Sequence, residues 1–284
     1  MAPLFEGISD MKGKALLGYT LYGIIVTVFF LYLLLPSAIL ERSIESFAAE
    51  QYGIVVHASA AGLTVPPGMR MERCRVSLPG RPDIMIVVQD VVVRAKLGRL
   101  LGGRLSALFH CRTYGGTLEG SAALNRRFTL TGPMDARVSA SGVDLAQATW
   151  LVKLLERRVE GTLKGVVEVE RITPVLTEGE GKLDMVLERG SIYMLEPFMG
   201  FERLDYDKIE IKADLVESDL TVRNITLEGP DIMGTFNGKI SLHSHIPSSR
   251  MAFKGSVSLP AMGVSLPLTV GGTLADPRVR VGRS

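Results

Sequence analysis

Cysteine, tryptophan and histidine are scarce in this chain: two, one and four among 284 residues. Two cysteines, Cys74 and Cys111, cannot build a multi-disulfide framework. They leave one disulfide in an oxidising compartment, or two buried thiols, as open alternatives. Charge of one dominant sign is also lacking, since 32 Lys and Arg meet 30 Asp and Glu for a net +2. No basic patch is interleaved with aromatics, so nucleic acid is not an expected partner.

Catalytic signatures are missing too. There is no Gly-x-Ser-x-Gly elbow, no phosphate loop and no His-Glu-x-x-His pair. Gly179-Glu180-Gly181 lacks the third glycine and the following helix of a dinucleotide fingerprint. His243 and His245 share one side of a strand, a spacing compatible with metal, but no third ligand stands nearby. His110 and Cys111 point to opposite faces of any strand that holds them, which argues against a nucleophile pair. The acidic residues are scattered without a paired setting. No catalytic residue, no cofactor-binding residue and no metal ligand is therefore assigned, and the chain is not expected to be an enzyme.

One segment is long and free of charge. Between Ala15 and Leu35, 13 of 21 positions are Leu, Ile, Val or Phe. A helix of that length spans roughly 30 Å, the thickness of a bilayer's hydrocarbon core. At about −0.45 kcal/mol per such residue, insertion is favoured by roughly 6 kcal/mol before polar corrections. Tyr19, Tyr22 and Tyr32 sit toward the two ends, where amphipathic rings prefer the interfaces. A cleaved signal peptide fits less well. The apolar run is too long, and Pro36-Ser37-Ala38 would put proline at −3 of the cleavage site. Lys12 and Lys14 precede the segment, whereas Arg42 follows it among Glu41, Glu45 and Glu50. This asymmetry orients the N-terminus to the cytoplasm and the rest of the chain to the other side.

The predicted organisation is residues 1–14 cytoplasmic, 15–35 transmembrane and 36–52 a juxtamembrane amphipathic helix. A first β-rich region over 53–143 and a helix plus second β-rich region over 144–284 complete it. Ile39, Leu40, Ile44 and Phe47 recur at helical spacing, and Gly53 is placed to end that helix. Ile54-Val55-Val56 then reads as a strand. Ile209, Ile211, Ala213 and Leu215 alternate with Glu210, Lys212 and Asp214, as expected of a sheet with one dry face. Ile84–Val88 and Val91–Val93 are apolar at every position and read as central or covered strands. A return strand after Glu217-Ser218-Asp219 carries Leu220 and Val222. The later helix is predicted over Leu145–Arg158, with Asp144 as its cap. Charge is uneven: Arg70, Arg73, Arg75, Arg94, Lys96 and Arg104 make the region after the anchor basic, and the later region is acidic. Basic strands could face anionic headgroups, or simply be solvated.

The chain also repeats itself. Gly116-Thr117-Leu118-Glu119-Gly120 is echoed by Gly161-Thr162-Leu163-Lys164-Gly165 and Gly234-Thr235-Phe236-Asn237-Gly238. A shortened copy, Gly272-Thr273-Leu274-Ala275-Asp276, lies near the end. The irregular spacing excludes a fixed-period solenoid and suggests a sheet that grows by hairpin units.

The order of anchor, capped helix and Gly53-Ile54-Val55-Val56 strand resembles the opening of AsmA-like proteins of Gram-negative envelopes. Gly142-Val143-Asp144-Leu145, Glu160-Gly161-Thr162-Leu163-Lys164-Gly165, Leu227-Glu228-Gly229-Pro230-Asp231 and terminal Gly271-Gly272-Thr273-Leu274-Ala275-Asp276-Pro277 resemble the type II secretion system protein N (GspN) family. The resemblance implies an extended, curved, largely antiparallel sheet. It implies an accessory inner-membrane component of the type II secretion apparatus, with its bulk in the periplasm and no catalytic residues. Expected partners are the inner membrane and other type II secretion components. The alternative it implies is an apolar groove that binds or transfers phospholipid. The anchor predicts that the full chain stays in the membrane pellet after alkaline carbonate extraction. Deleting residues 15–35 should release it to the supernatant.

Overall fold

Hairpin after hairpin, the alternation of apolar and polar residues builds one sheet. The computed structural model describes residues 37–52, 54–64, 68–78, 81–96, 104–127, 133–155, 157–172, 179–198, 201–243, 248–260, 263–274 and 276–282. The anchor at 15–35 and the segment 1–14 lie outside them. Among the described residues no helix is long and apolar enough to cross a membrane.

Helix α1 (Ser37–Tyr52) leads into β1 (Val55–Ser59), β2 (Gly62–Thr64), β3 (Gly68–Leu78) and β4 (Arg81–Ala95). Next come β5 (Arg104–Thr113), β6 (Gly116–Arg127) and β7 (Met134–Asp144). A 3-10 turn, Leu145–Gln147, and helix α2 (Thr149–Leu155) precede β8 (Thr162–Ile172), β9 (Glu180–Phe198) and β10 (Phe201–Val216). The remainder is β11 (Asp219–Glu228), β12 (Met233–Ser241), β13 (Arg250–Leu259), β14 (Val264–Thr273) and β15 (Pro277–Val281). These 15 strands form one sheet in the order β1, β3, β4 and so on to β15, with β2 also paired to β3. Every pairing is antiparallel, and β7 pairs with β8 across the residues that hold the 3-10 turn and α2.

Helix α1 lies as expected and covers the first strands. Leu40, Ile44 and Ala48 pack with Val56, Ala58, Met71 and Cys74. Its glutamates reach the edge strand: the Ala61 amide donates to Glu41 Oε1 at 3.2 Å, and His57 Nδ1 lies 3.4 Å from Glu45 Oε1. The two apolar runs at 84–88 and 91–93 are one strand, β4. A bulge at Gln89–Val92 with Asp90 at φ 48° separates them.

The helix predicted over Leu145–Arg158 is shorter and broken. Asp144 caps only the 3-10 turn, accepting from the Ala146 amide at 3.0 Å, and α2 ends at Leu155. The segment after it is taken by the sheet instead. Glu160 and Ser191 exchange backbone hydrogen bonds, and the Tyr193 amide donates to the Arg158 carbonyl at 3.0 Å. Two strand-type contacts outweigh the local preference for another helical turn. Helix α2 has a structural task, because β5 stops short of the first half of β4. There the Val87 amide donates to the Tyr114 hydroxyl, Thr113 Oγ1 donates to the Val87 carbonyl, and Lys153 Nζ donates to the Asp83 carbonyl. Ile84 beneath is 0% exposed.

The glycine repeats have a packing cause. Their second glycine sits under a large side chain of a neighbouring strand: Gly120 under Phe109, Gly165 under Met185, and Gly238 under Phe253. A Cβ on Gly238 would stand 2.6 Å from the Phe253 ring and 2.2 Å from the Ala252 carbonyl. The shortened copy is a turn: Gly272 has φ +99°, and the Asp276 amide donates to Thr273 Oγ1 at 3.1 Å, folding β15 back onto β14. Gly238→Val should therefore cost about 1–3 kcal/mol, the range for forcing extra atoms into packed structure. Gly271→Ala, whose Cβ would meet nothing nearer than 3.9 Å, should leave the thermal midpoint close to that of the wild type.

Candidate binding face

Strand register joins the apolar positions into rows that cross the whole sheet. One row runs Met69, Val93, Phe109, Gly120, Val138 and Val167. It continues through Leu183, Ala213, Val222, Gly238, Phe253, Val270 and Val279. A second row begins Cys111, Leu118, Ala140, Gly165, Met185 and Ile211. It goes on through Ile225, Phe236, Gly255 and Leu268 to Val281. No charged residue interrupts either row.

Burial along this face is uneven. At one end α1 and β1, β3, β4 and β5 enclose Met71, Cys74, Val91 and Cys111. At the other, Leu204, Ile209, Leu227, Val257 and Leu268 form a second core, adjoined by Ala213, Val222 and Phe253. Tyr206 belongs to that core, is 2% exposed, and donates its hydroxyl to the Glu160 carbonyl at 2.5 Å. Burial first, and then the Glu160 carboxylate, push its pKa up to about 12. Between the two cores lie β6, β7 and β8. Their row residues Leu118, Ala140, Val138 and Val167 are all only half-buried. From β5 to β9 is four inter-strand steps, so this half-open apolar strip is roughly 19 Å wide.

The opposite face is a lattice of charge. Arg137 pairs with Glu168 at 2.5 Å, Lys164 with Glu188 at 2.8 Å and Lys239 with Asp219 at 2.7 Å. Arg223 pairs with Asp214, and Arg112 with Asp90. A shallow depression of about 610 Å³ on this face is lined by Lys164, Lys182, Lys212, Asp184, Glu188 and Asp214, among others. Its charges face one another across neighbouring strands: Lys182 is opposite both Glu168 and Asp214, and Lys212 is opposite Asp184. Within it Lys164 is paired with Glu188, and Asp214 with Arg223.

The residues weighed from sequence are spread apart. His110 is exposed beside Glu119 at 3.0 Å, while Cys111 is 5% exposed on the apolar face, so they do point opposite ways. His243 Nδ1 lies 3.1 Å from the Ser241 carbonyl, and His245 is outside the described residues. Among the described residues no group of three or more His, Cys, Asp or Glu could hold a metal. Cys74 and Cys111 are free, buried thiols. They stand on β3 and β5 with β4 between them, two steps or about 10 Å, beyond the ~7 Å reach of a disulfide's Cα atoms. The sequence reading missed the continuous rows because register is set by cross-strand pairing and cannot be read from spacing within one strand. The alternation in β10 was its only local sign.

Two predictions concern these groups. Burial pushes the thiol of Cys74 up, and burial followed by the nearby Cys74 does so for Cys111. Both should therefore resist a thiol reagent at neutral pH until the chain is unfolded, and reducing and non-reducing gels should show one mobility. On the charged face, the paired cations hold Asp90, Glu188, Asp214 and Asp219 below their ordinary pKa values, chiefly through side-chain hydrogen bonds from Arg112, Lys164, Arg223 and Lys239. A carboxylate lowered on folding stabilises the fold above its ordinary pKa, and that contribution is lost as pH falls through the folded value. Thermal midpoints should accordingly hold steady from pH 7 to about 5 and drop below about pH 4. Comparison with known proteins finds no match among family models, curated proteins or solved structures.

Proposed function

We propose that this chain is an accessory inner-membrane component of the type II secretion apparatus, tethered through residues 15–35 with its sheet in the periplasm. It works by binding and not by catalysis, and the apolar face is what it offers to its partners. One observation carries this reading: 13 strands contribute to a single uncharged row, Met69 to Val279. A sheet built only for stability could shield its dry face with a second layer. Here α1 and the two cores leave β6 to β8 half-covered, which supports a surface meant to be occupied. The quoted Gly-Thr-Leu motifs, which carry the resemblance to the GspN family, support the assignment to that apparatus.

A second reading is that the strip over β6 to β8 holds phospholipid acyl chains, as the resemblance to AsmA-like proteins implies. It is favoured by the strip's chemistry: Leu118, Val138 and Val167 offer hydrocarbon and no hydrogen-bonding side chain. The two readings part on what touches Val138 in cells. A photo-crosslinking residue at Val138 of the full chain should capture an inner-membrane or periplasmic secretion component under the first. Under the second it should give a phospholipid adduct detectable by mass. Recovery of neither would contradict both.

A further inference from the structure

The charged face changes character along the sheet. Across β8 to β10 its cations and carboxylates alternate, whereas β12, β13, β14 and β15 contain five cations and no Asp or Glu. The cations are Lys239, Arg250, Lys254, Arg278 and Arg280, and all five lie on the face opposite Phe253 and Val279. Here the surface holds a depression of about 540 Å³, lined by Lys239, Arg250, Ala252, Thr273, Asp276 and Arg278, among others.

Register explains the depression. Lys239, Ala252, Gly271 and Arg278 follow one another across β12 to β15, so two small residues lie between two long cations. Arg250 and Lys254 stand two residues to either side of Ala252 along β13, each about 7 Å away. Four cations therefore surround a floor of Ala252 and Gly271. A Cβ on Gly271 would meet nothing nearer than 3.9 Å, so the space above that floor is open. Thr273 borders Arg250, while Asn237 and Thr269 border Lys254, which adds amide and hydroxyl donors. Lys239 is engaged by Asp219 at 2.7 Å and Arg278 by Asp276 at 3.1 Å. Arg250 and Lys254 make no ion pair among the described residues. Four cations against two carboxylates leave the ring at +2.

We propose that this ring binds a phosphate monoester group. Such a group carries about −1.5 to −2 charge near neutral pH and presents three acceptor oxygens. Its charge matches that of the ring, and its oxygens suit the guanidinium fork of Arg250 together with the neighbouring donors. A carboxylate brings a single charge and leaves half of the surplus uncompensated. The depression over β8 to β10 has no such surplus, because Lys182 and Lys212 each stand opposite carboxylates. A small soluble ester and a lipid headgroup that ends in phosphate present the same chemistry, and the experiment separates these two sources. The inference uses neither the tether nor the apolar strip.

The experiment is calorimetric titration of the full chain in a nonionic detergent, at an ionic strength held constant with sodium chloride. Glycerol 3-phosphate is the soluble monoester and dihexanoyl phosphatidic acid the lipid monoester. Dihexanoyl phosphatidylcholine, whose phosphate is a diester, is the control. At least one monoester should bind. Equal affinities identify a soluble ester as the ligand, and a preference for phosphatidic acid identifies a headgroup. Changing Arg250→Gln and Lys254→Gln together should weaken binding about tenfold, the effect of two lost exposed charge contacts. Changing Lys182→Gln and Lys212→Gln together removes as much charge elsewhere and should leave the affinity unchanged. Gly271→Glu sets a carboxylate over the open floor and should abolish binding with every cation in place, which keeps the test decisive if the first pair fails to fold. The proposal is overturned if neither monoester binds, or if both pairs of changes weaken binding equally. Phosphatidylcholine binding as tightly as phosphatidic acid overturns it as well.

Discussion

Everything in this molecule depends on strand register. Side chains alternate with a period of two, so a slip of one residue would send a strand's apolar set to the charged face. Each of the successive hairpins holds the same phase, and the row from Met69 to Val279 is the result. The bulges preserve that phase. Asp90 at φ 48° absorbs an extra residue in β4, so that the Ile86–Val88 and Val91–Val93 segments both serve the sheet. The glycine under Phe109, Met185 or Phe253 lets a large side chain lie across its neighbour without pushing the strands apart.

The two faces then share the work. The charged face gains from many exposed pairs, each individually weak, and their collective effect is to make register slips costly by setting like charges opposite one another. The apolar face supplies the cores at both ends and leaves the middle half-open. Among the described residues two α-helices lie on the sheet: α1 covers the first strands, and α2 covers the stretch of β4 that β5 does not reach. The half-open strip over β6 to β8 is thus where the described residues supply no helical cover.

Local features were legible in the sequence and long-range ones were not. The Ser37–Tyr52 helix follows from a stripe at helical spacing, and β10 from Ile209, Ile211 and Ala213 alternating with charges. The broken helix after Asp144 was not legible, because the segment around Glu160 is held by Ser191 and Tyr193, more than thirty residues away. The repeated Gly-Thr-Leu segments could be seen as strand starts. That their second glycine receives a neighbour's Phe or Met required the pairing itself. The binding face was legible only as the dry half of β10, and its continuity belongs to the sheet as a whole.

One face of the sheet is apolar, continuous and half-open over β6 to β8. Spin labels placed singly at each position from Ala136 to Ala140 of the full chain, read by accessibility to oxygen and to a water-soluble relaxant, test it most directly. Labels at positions 136, 138 and 140 should favour oxygen, and those at 137 and 139 should favour the water-soluble relaxant, a period-two alternation along β7. Equal accessibility at all five positions would contradict a sheet with one apolar and one charged face.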